Sequence, residues 1–262
     1  MQIHFISGLP RSGSTLLAAI LRQNPIFSAG MSSPTGSLYK LMERGFAANN
    51  EAAVQINDDQ RRGLLRGLIA AMHAGSSAEI SFDTNRLWAA RLPALAQLYP
   101  ESKVILCVRD VAWIMDSFER LYRRNPFEPS GVYDFDVNGT VYSRCGALAS
   151  GNGPVGWALN ALREAMAGEQ RDRLLLVEYE ELYKSPGGTV SAIYKFLGQE
   201  PFAHDFARVE YSASEFDRNL GAPGLHDVSG AVRWKTRKTI LPPDLFASYG
   251  NDQFWREPRR AA

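Results

Sequence analysis

Gly8, Leu9, Pro10, Arg11, Ser12, Gly13, Ser14 and Thr15 follow the apolar run Ile3-His4-Phe5-Ile6 and open a helix-compatible stretch at 16–21. Strand, glycine-bounded turn and helix start, in that order, make an anion cradle. Successive backbone N–H groups point inward, and the helix dipole adds about half a positive charge. The spacing is that of a nucleotide-binding loop, G-x-x-x-x-G-K-[ST], except that Ser14 stands at the lysine position. The cation appears earlier, inside the loop, as Arg11. A triphosphate site uses the loop lysine to reach the outer phosphates and magnesium to neutralise the rest. Here the lysine is missing, and the clearest apolar strand ends in Val108-Arg109 rather than in a carboxylate. A 5′-phosphosulfate carries less charge at the group to be transferred, so an arginine and backbone amides suffice for it without a metal.

Pro10-Arg11-Ser12-Gly13-Ser14-Thr15 matches P-[KR]-[SA]-G-[ST]-[ST], and on those residues the chain resembles the sulfotransferases that use 3′-phosphoadenosine 5′-phosphosulfate (PAPS). A second match follows the run 104–108, where Arg109 ends the strand and Ser117 lies eight residues on. In the family that pair faces the 3′-phosphate, and two helical turns bring a serine hydroxyl near the arginine fork. Val177-Glu178-Tyr179-Glu180-Glu181-Leu182 resembles the family's Y-E-x-L, which implies that Tyr179 packs by the adenine. The basic run Arg233-Trp-Lys-Thr-Arg237-Lys238 is ordinarily a solvated face. The resemblance implies that one or more of its cations, Arg237 and Lys238 among them, closes over the 3′-phosphate.

The details look nearest to the tyrosylprotein sulfotransferase branch and to similar bacterial proteins, with Arg11 in the loop, Arg109-Asp110 after the strand, and Leu241-Pro-Pro-Asp-Leu245 late in the chain. Two of that branch's catalytic residues have no counterpart. Ala29-Gly-Met-Ser-Ser-Pro34 replaces the stretch that carries its acidic residue, and Asp83-Thr-Asn-Arg86 replaces its lysine after the second strand. Arg86 is the candidate to replace that lysine. For the base, Asp83 at the sheet edge comes first, with a helix cap as the competing role. His226 comes second. Two other classes use the same loop: a phosphotransferase or nucleotide hydrolase with a degenerate loop, and an inactive PAPS-binding relic.

These residues need a scaffold, and the pattern of the chain supplies one. Strand-like runs near 2–7, 79–82, 103–108 and 173–177 alternate with amphipathic stretches at 16–23, 37–46, 58–74, 87–98, 111–123, 157–169 and 187–197. That alternation implies an α/β protein, a three-layer α/β/α sandwich on a central parallel sheet with the nucleotide loop after its first strand. Ligands bind beyond the carboxyl ends of such strands, which gathers Asp83, Arg109 and Tyr179 on the loop's edge. The 262 residues fit one such domain. The glycine- and proline-bearing segment 125–153 reads as a lid, and 203–262 as an irregular tail.

The formal net charge of +1 gives no global pull on nucleic acid or membrane, so the basic groups that matter are local. The expected partner is a small-molecule or peptide acceptor, with no nucleic acid and no membrane; oligomeric state is not legible. Cys107 and Cys145 make neither a disulfide framework nor a zinc site, and no metal is expected. The first strand begins straight after Met1 without a signal-peptide pattern, and no apolar run approaches about 20 residues, so the expected location is the cytoplasm.

Overall fold

The computed structural model describes residues 1–47, 51–124, 127, 139–250 and 253–256. In chain order they form β1 (Gln2–Gly8), α1 (Ser14–Leu21), β2 (Phe27–Ser28), α2 (Thr35–Gly45), α3 (Glu51–Val54), α4 (Asp58–His73), β3 (Ile80–Thr84), α5 (Leu87–Ala90) and α6 (Leu92–Leu98). Then come β4 (Val104–Val108), α7 (Val111–Arg124), α8 (Val141–Ala149), α9 (Pro154–Ala167), β5 (Leu174–Glu178), α10 (Tyr179–Lys184) and α11 (Pro186–Leu197). β6 (Val209–Tyr211), α12 (Ser214–Asn219), β7 (Val228–Gly230) and α13 (Pro243–Tyr249) complete the set.

Five strands make one sheet in the order β2-β3-β1-β4-β5, and each neighbouring pair is parallel. The alternation of side chains along β4 explains the three layers. Val104, Leu106 and Val108 join a core with α5 to α9 and α13 on one face, while Ile105 and Cys107 join a second core with α1, α10 and α11 on the other. All five β4 residues are buried, as expected of a central parallel strand.

Three expectations change. The stretch 87–98 is two short helices, divided at Arg91 just before Pro93. Within the expected lid, 141–149 is helical: Thr140 caps α8 by accepting from the Ser143 N–H, and Arg144 pairs with buried Glu119 at 2.8 Å. Most of 125–138 lies outside the described residues. The tail also has order, since β6 and β7 form an antiparallel ribbon, with α12 and the 220–227 loop carried between them.

Candidate functional site

β1 ends at Gly8, whose φ of +111° and position 2.1 Å (as a built Cβ) from the Cys107 carbonyl admit no side chain. The loop then runs beneath a cavity of about 350 Å³. Gly13 is also left-handed, at φ +92°, and starts α1 against the Tyr179 ring. Ser12 is buried and donates its hydroxyl to the Leu9 carbonyl at 2.5 Å, so it holds the turn rather than lining the cavity. Pro10, Arg11, Gly13, Ser14 and Thr15 all line it.

Arg11 has φ 57°, the one non-glycine residue in the left-handed region among those described. That conformation costs about 1 kcal/mol or more and is a common property of functional loops. It turns the side chain across the cavity. Nε donates to the Ser117 hydroxyl at 3.1 Å, and a terminal nitrogen donates to the Leu225 carbonyl at 2.5 Å.

Arg109 comes directly after β4 and Ser117 sits two turns into α7, so strand and helix deliver both to the same wall. Arg109 donates to the Arg11 carbonyl at 3.0 Å and lies 3.8 Å above the Tyr179 ring centroid. Its Nε is buried with no hydrogen-bond partner among the described residues. Arg109 is mostly buried yet lines the cavity, so its charge adds to the positive potential there. Tyr179 opens α10 straight after β5, and Tyr183 packs 4.7 Å from it. Burial, with Tyr179 alongside, pushes the Tyr183 phenol far above its ordinary value, so it stays a neutral hydroxyl.

The late basic run divides. Arg237 lines the cavity, held by buried Asp116 at 2.8 Å and lying over Trp113. Lys238 does not line it; its carbonyl accepts from Arg120 at 2.5 Å, and this residue lies outside the wall expected of it. Arg86 lines the cavity from the N-terminus of α5. Arg11, Arg86, Arg109 and Arg237 thus line one space, and among the described lining residues Asp227 is the single carboxylate against them. A chain of net charge +1 concentrates positive potential here.

Asp83 departs from its expected place. β3 runs on to Thr84, so Asp83 is a strand residue whose side chain enters a sheet face instead of leaving the strand end. Fully buried and absent from the cavity wall, its carboxylate accepts from Ser33 at 2.7 Å, Thr35 at 2.6 Å and Trp88 Nε1 at 2.8 Å, and meets His73 Nε2 at 2.9 Å. Burial alone would raise its pKa; the bonds from His73, Thr35, Ser33 and Trp88 outweigh that and hold it below the usual carboxylate value. It also does not cap the next helix. Asp83 anchors the 30–35 loop, which presents Ser32 to the cavity.

His226 does line the cavity, and its Nδ1 lies 2.6 Å from Asp217, a residue without any signal in the sequence pattern. Asp116 was equally hidden, although it is the immediate neighbour of Ser117. Among the described residues no group of three or more His, Cys, Asp and Glu side chains is arranged to hold a metal. Nor is any described helix long and apolar enough to cross a membrane.

A parallel α/β sheet with an arginine-bearing glycine loop at its carboxyl edge is an architecture that binds anionic ligands beyond the strand ends. Residues 4–204 match the model of the sulfotransferase family. The chain belongs to that family and is a sulfotransferase. A Caenorhabditis briggsae protein bearing the name protein-tyrosine sulfotransferase is 32% identical over 241 residues, covering 86% of this chain and 79% of that one. Protein-tyrosine sulfotransferase 2 of Gallus gallus is 28% identical over 207 residues, 76% of this chain and 51% of its own. The sulfotransferase domain from the curacin biosynthetic pathway superposes with a TM-score of 0.56 at 16% identity, covering 96% of this chain and 91% of that domain. Retinol dehydratase, solved with retinol and 3′-phosphoadenosine 5′-phosphate (PAP), gives 0.51 at 16% identity, with 97% and 79% covered.

Proposed function

We propose that the chain transfers the sulfuryl group of PAPS to a hydroxyl on a small-molecule or peptide acceptor, a phenol or tyrosyl side chain being the first class to try. The observation that carries this reading is the meeting of Arg11, Arg109 and Ser117 over the loop, with Arg109 stacked on Tyr179. The loop amides and Arg11 suit the 5′-phosphosulfate, Arg109 and Ser117 the 3′-phosphate, and the Tyr179 ring the adenine side. Arg237, and Arg86 in place of the missing lysine, add charge at the mouth. The related proteins named for tyrosine sulfation, and the PAP bound to retinol dehydratase, favour the same substrate pair.

Transfer needs the acceptor oxygen in line with the leaving 5′-phosphate, and donors aimed at the sulfonate oxygens as charge shifts toward the leaving group. Arg11 is the donor inside the loop, and its constrained backbone holds it there before substrate arrives. The test is labelled-sulfate transfer from PAPS to a panel of phenols, tyrosyl peptides and sugars, run beside calorimetry with PAP. Transfer to one acceptor class, with PAP binding, is the expected result. PAP binding with no transfer to any of them leaves a binding protein, and magnesium-dependent ATP turnover without PAP binding overturns the reading.

Within this site Ser117→Ala should raise the PAP Kd about tenfold, since a lost hydrogen bond to a charged group costs about 1.5 kcal/mol. An unchanged Kd removes the hydroxyl from the phosphate site.

A further inference from the structure

Among the described residues that line the cavity, few groups are able to accept the acceptor's proton. Its guanidinium groups stay protonated, and the Tyr183 phenol is pushed away from ionisation. Asp227 is exposed and already accepts from the Ser212 hydroxyl at 3.0 Å. His226 is different. The Asp217 carboxylate, completely buried in α12, accepts the His226 backbone N–H at 2.8 Å on one oxygen and meets ring Nδ1 at 2.6 Å on the other. One carboxylate therefore fixes both the main chain and the ring of a residue nine positions away.

A carboxylate at Nδ1 selects the tautomer protonated there and leaves the Nε2 lone pair available. The Phe216 ring packs edge-on to the imidazole at 5.7 Å and restricts its rotation. The preceding residue, Leu225, is the one whose carbonyl Arg11 grips at 2.5 Å. The loop cation and the oriented imidazole are thus joined through one peptide unit. Among the described residues, the charged groups around this histidine are Asp217 from α12, in contact with its ring, and Asp227, Arg11, Arg86, Arg109 and Arg237, which share its cavity.

We propose that His226 is the general base of the transfer and that Asp217 is its positioning residue; this rests on the sulfuryl-transfer reading above. As the acceptor oxygen forms its bond to sulfur, its proton passes to His226 Nε2. The bond from sulfur to the 5′-phosphate oxygen breaks, and its electron pair leaves with PAP. The imidazolium formed is stabilised by the Asp217 carboxylate. A base carried by the α12–β7 loop explains how this chain dispenses with an acidic residue in 29–34 and leaves Asp83 to structure.

Four measurements test this. With wild-type protein and the acceptor found in the panel, kcat/KM should rise with pH along one limb as the imidazole loses its proton. His226→Gln should abolish that limb and lower the plateau at least a hundredfold, with the PAP Kd within about threefold of wild type. Asp217→Asn should lower the plateau by a similar factor, because an amide facing Nδ1 turns the ring to the opposite tautomer. Nitrogen-15 spectra of the wild-type imidazole should show Nδ1 protonated at neutral pH, a readout that needs neither turnover nor the foldedness of the Asn variant. A His226→Gln enzyme that keeps its acidic limb overturns the base while leaving sulfuryl transfer intact. Loss of PAP binding with an unchanged saturated rate overturns it too, making His226 a nucleotide contact. An Nε2-protonated ring overturns the role of Asp217. Wild-type protein that sulfates nothing takes the base down together with the function it serves.

Discussion

Arg11→Ala should lower kcat at least a hundredfold while the protein stays folded. A preorganised donor aimed at developing charge is worth about 3 kcal/mol, and each 1.36 kcal/mol is about tenfold in rate. Arg11 has the attributes of such a donor: it lies on the cavity wall and is pinned between Ser117 and the Leu225 carbonyl by a backbone held at φ 57°. Arg11→Gly sharpens the test. Glycine adopts this φ freely, so the variant should be as stable as wild type or more stable, by about 1 kcal/mol, and still lose the same activity. Arg11→Lys keeps the charge but not the planar fork and should fall between. Single-turnover rates at saturating PAPS, beside thermal melts, decide the matter. Near-normal turnover in the alanine variant would remove Arg11 from the chemistry.

Asp83→Asn should cost about 3 kcal/mol of stability, which lowers Tm by roughly 6–12 °C for a chain of this size. Four donors converge on the carboxylate from three separate segments, and an amide turns one of its oxygens into a competing donor. The pH dependence has a definite sign. Because the folded pKa lies below the ordinary 3.8, the stabilisation is complete above that value and fades as pH falls through the lower folded one. Wild type should therefore lose more stability than Asp83→Asn on acidification in that window. Nucleotide affinity at neutral pH should change little, because Asp83 acts on the cavity only through the 30–35 loop. A large loss of PAP affinity with an unaltered melt would return Asp83 to the site.

The loop edge of the sheet is legible from local chemistry. A loop bounded by Gly8 and Gly13, with Arg11 inside it, and an arginine directly after a fully apolar run, have fixed positions relative to the strands that precede them. The same holds for Tyr179, which follows β5 at once. The acceptor side was not legible, since its groups come from segments whose pattern carries no period. Asp83 illustrates the limit: β3 runs two residues past the apolar run, to Thr84, and Asp83 becomes a strand residue whose side chain enters a sheet face. Lys238 and Arg237 illustrate another, as adjacent cations in an extended stretch part company once Asp116 captures one of them.

Sequence alone determined the alternation of the four long strands with helices, the glycine-bounded loop after the first strand and the positions of Arg11 and Arg109 relative to strands β1 and β4, because each depends on neighbours a few residues apart. Tertiary structure decided which acid is buried for support and which histidine is oriented toward the cavity. Those outcomes turn on contacts such as Asp217 with His226 across a loop, and on the Leu225 carbonyl meeting Arg11 across 214 residues. No local rule encodes such contacts, since packing the two sheet faces is what brings the segments together.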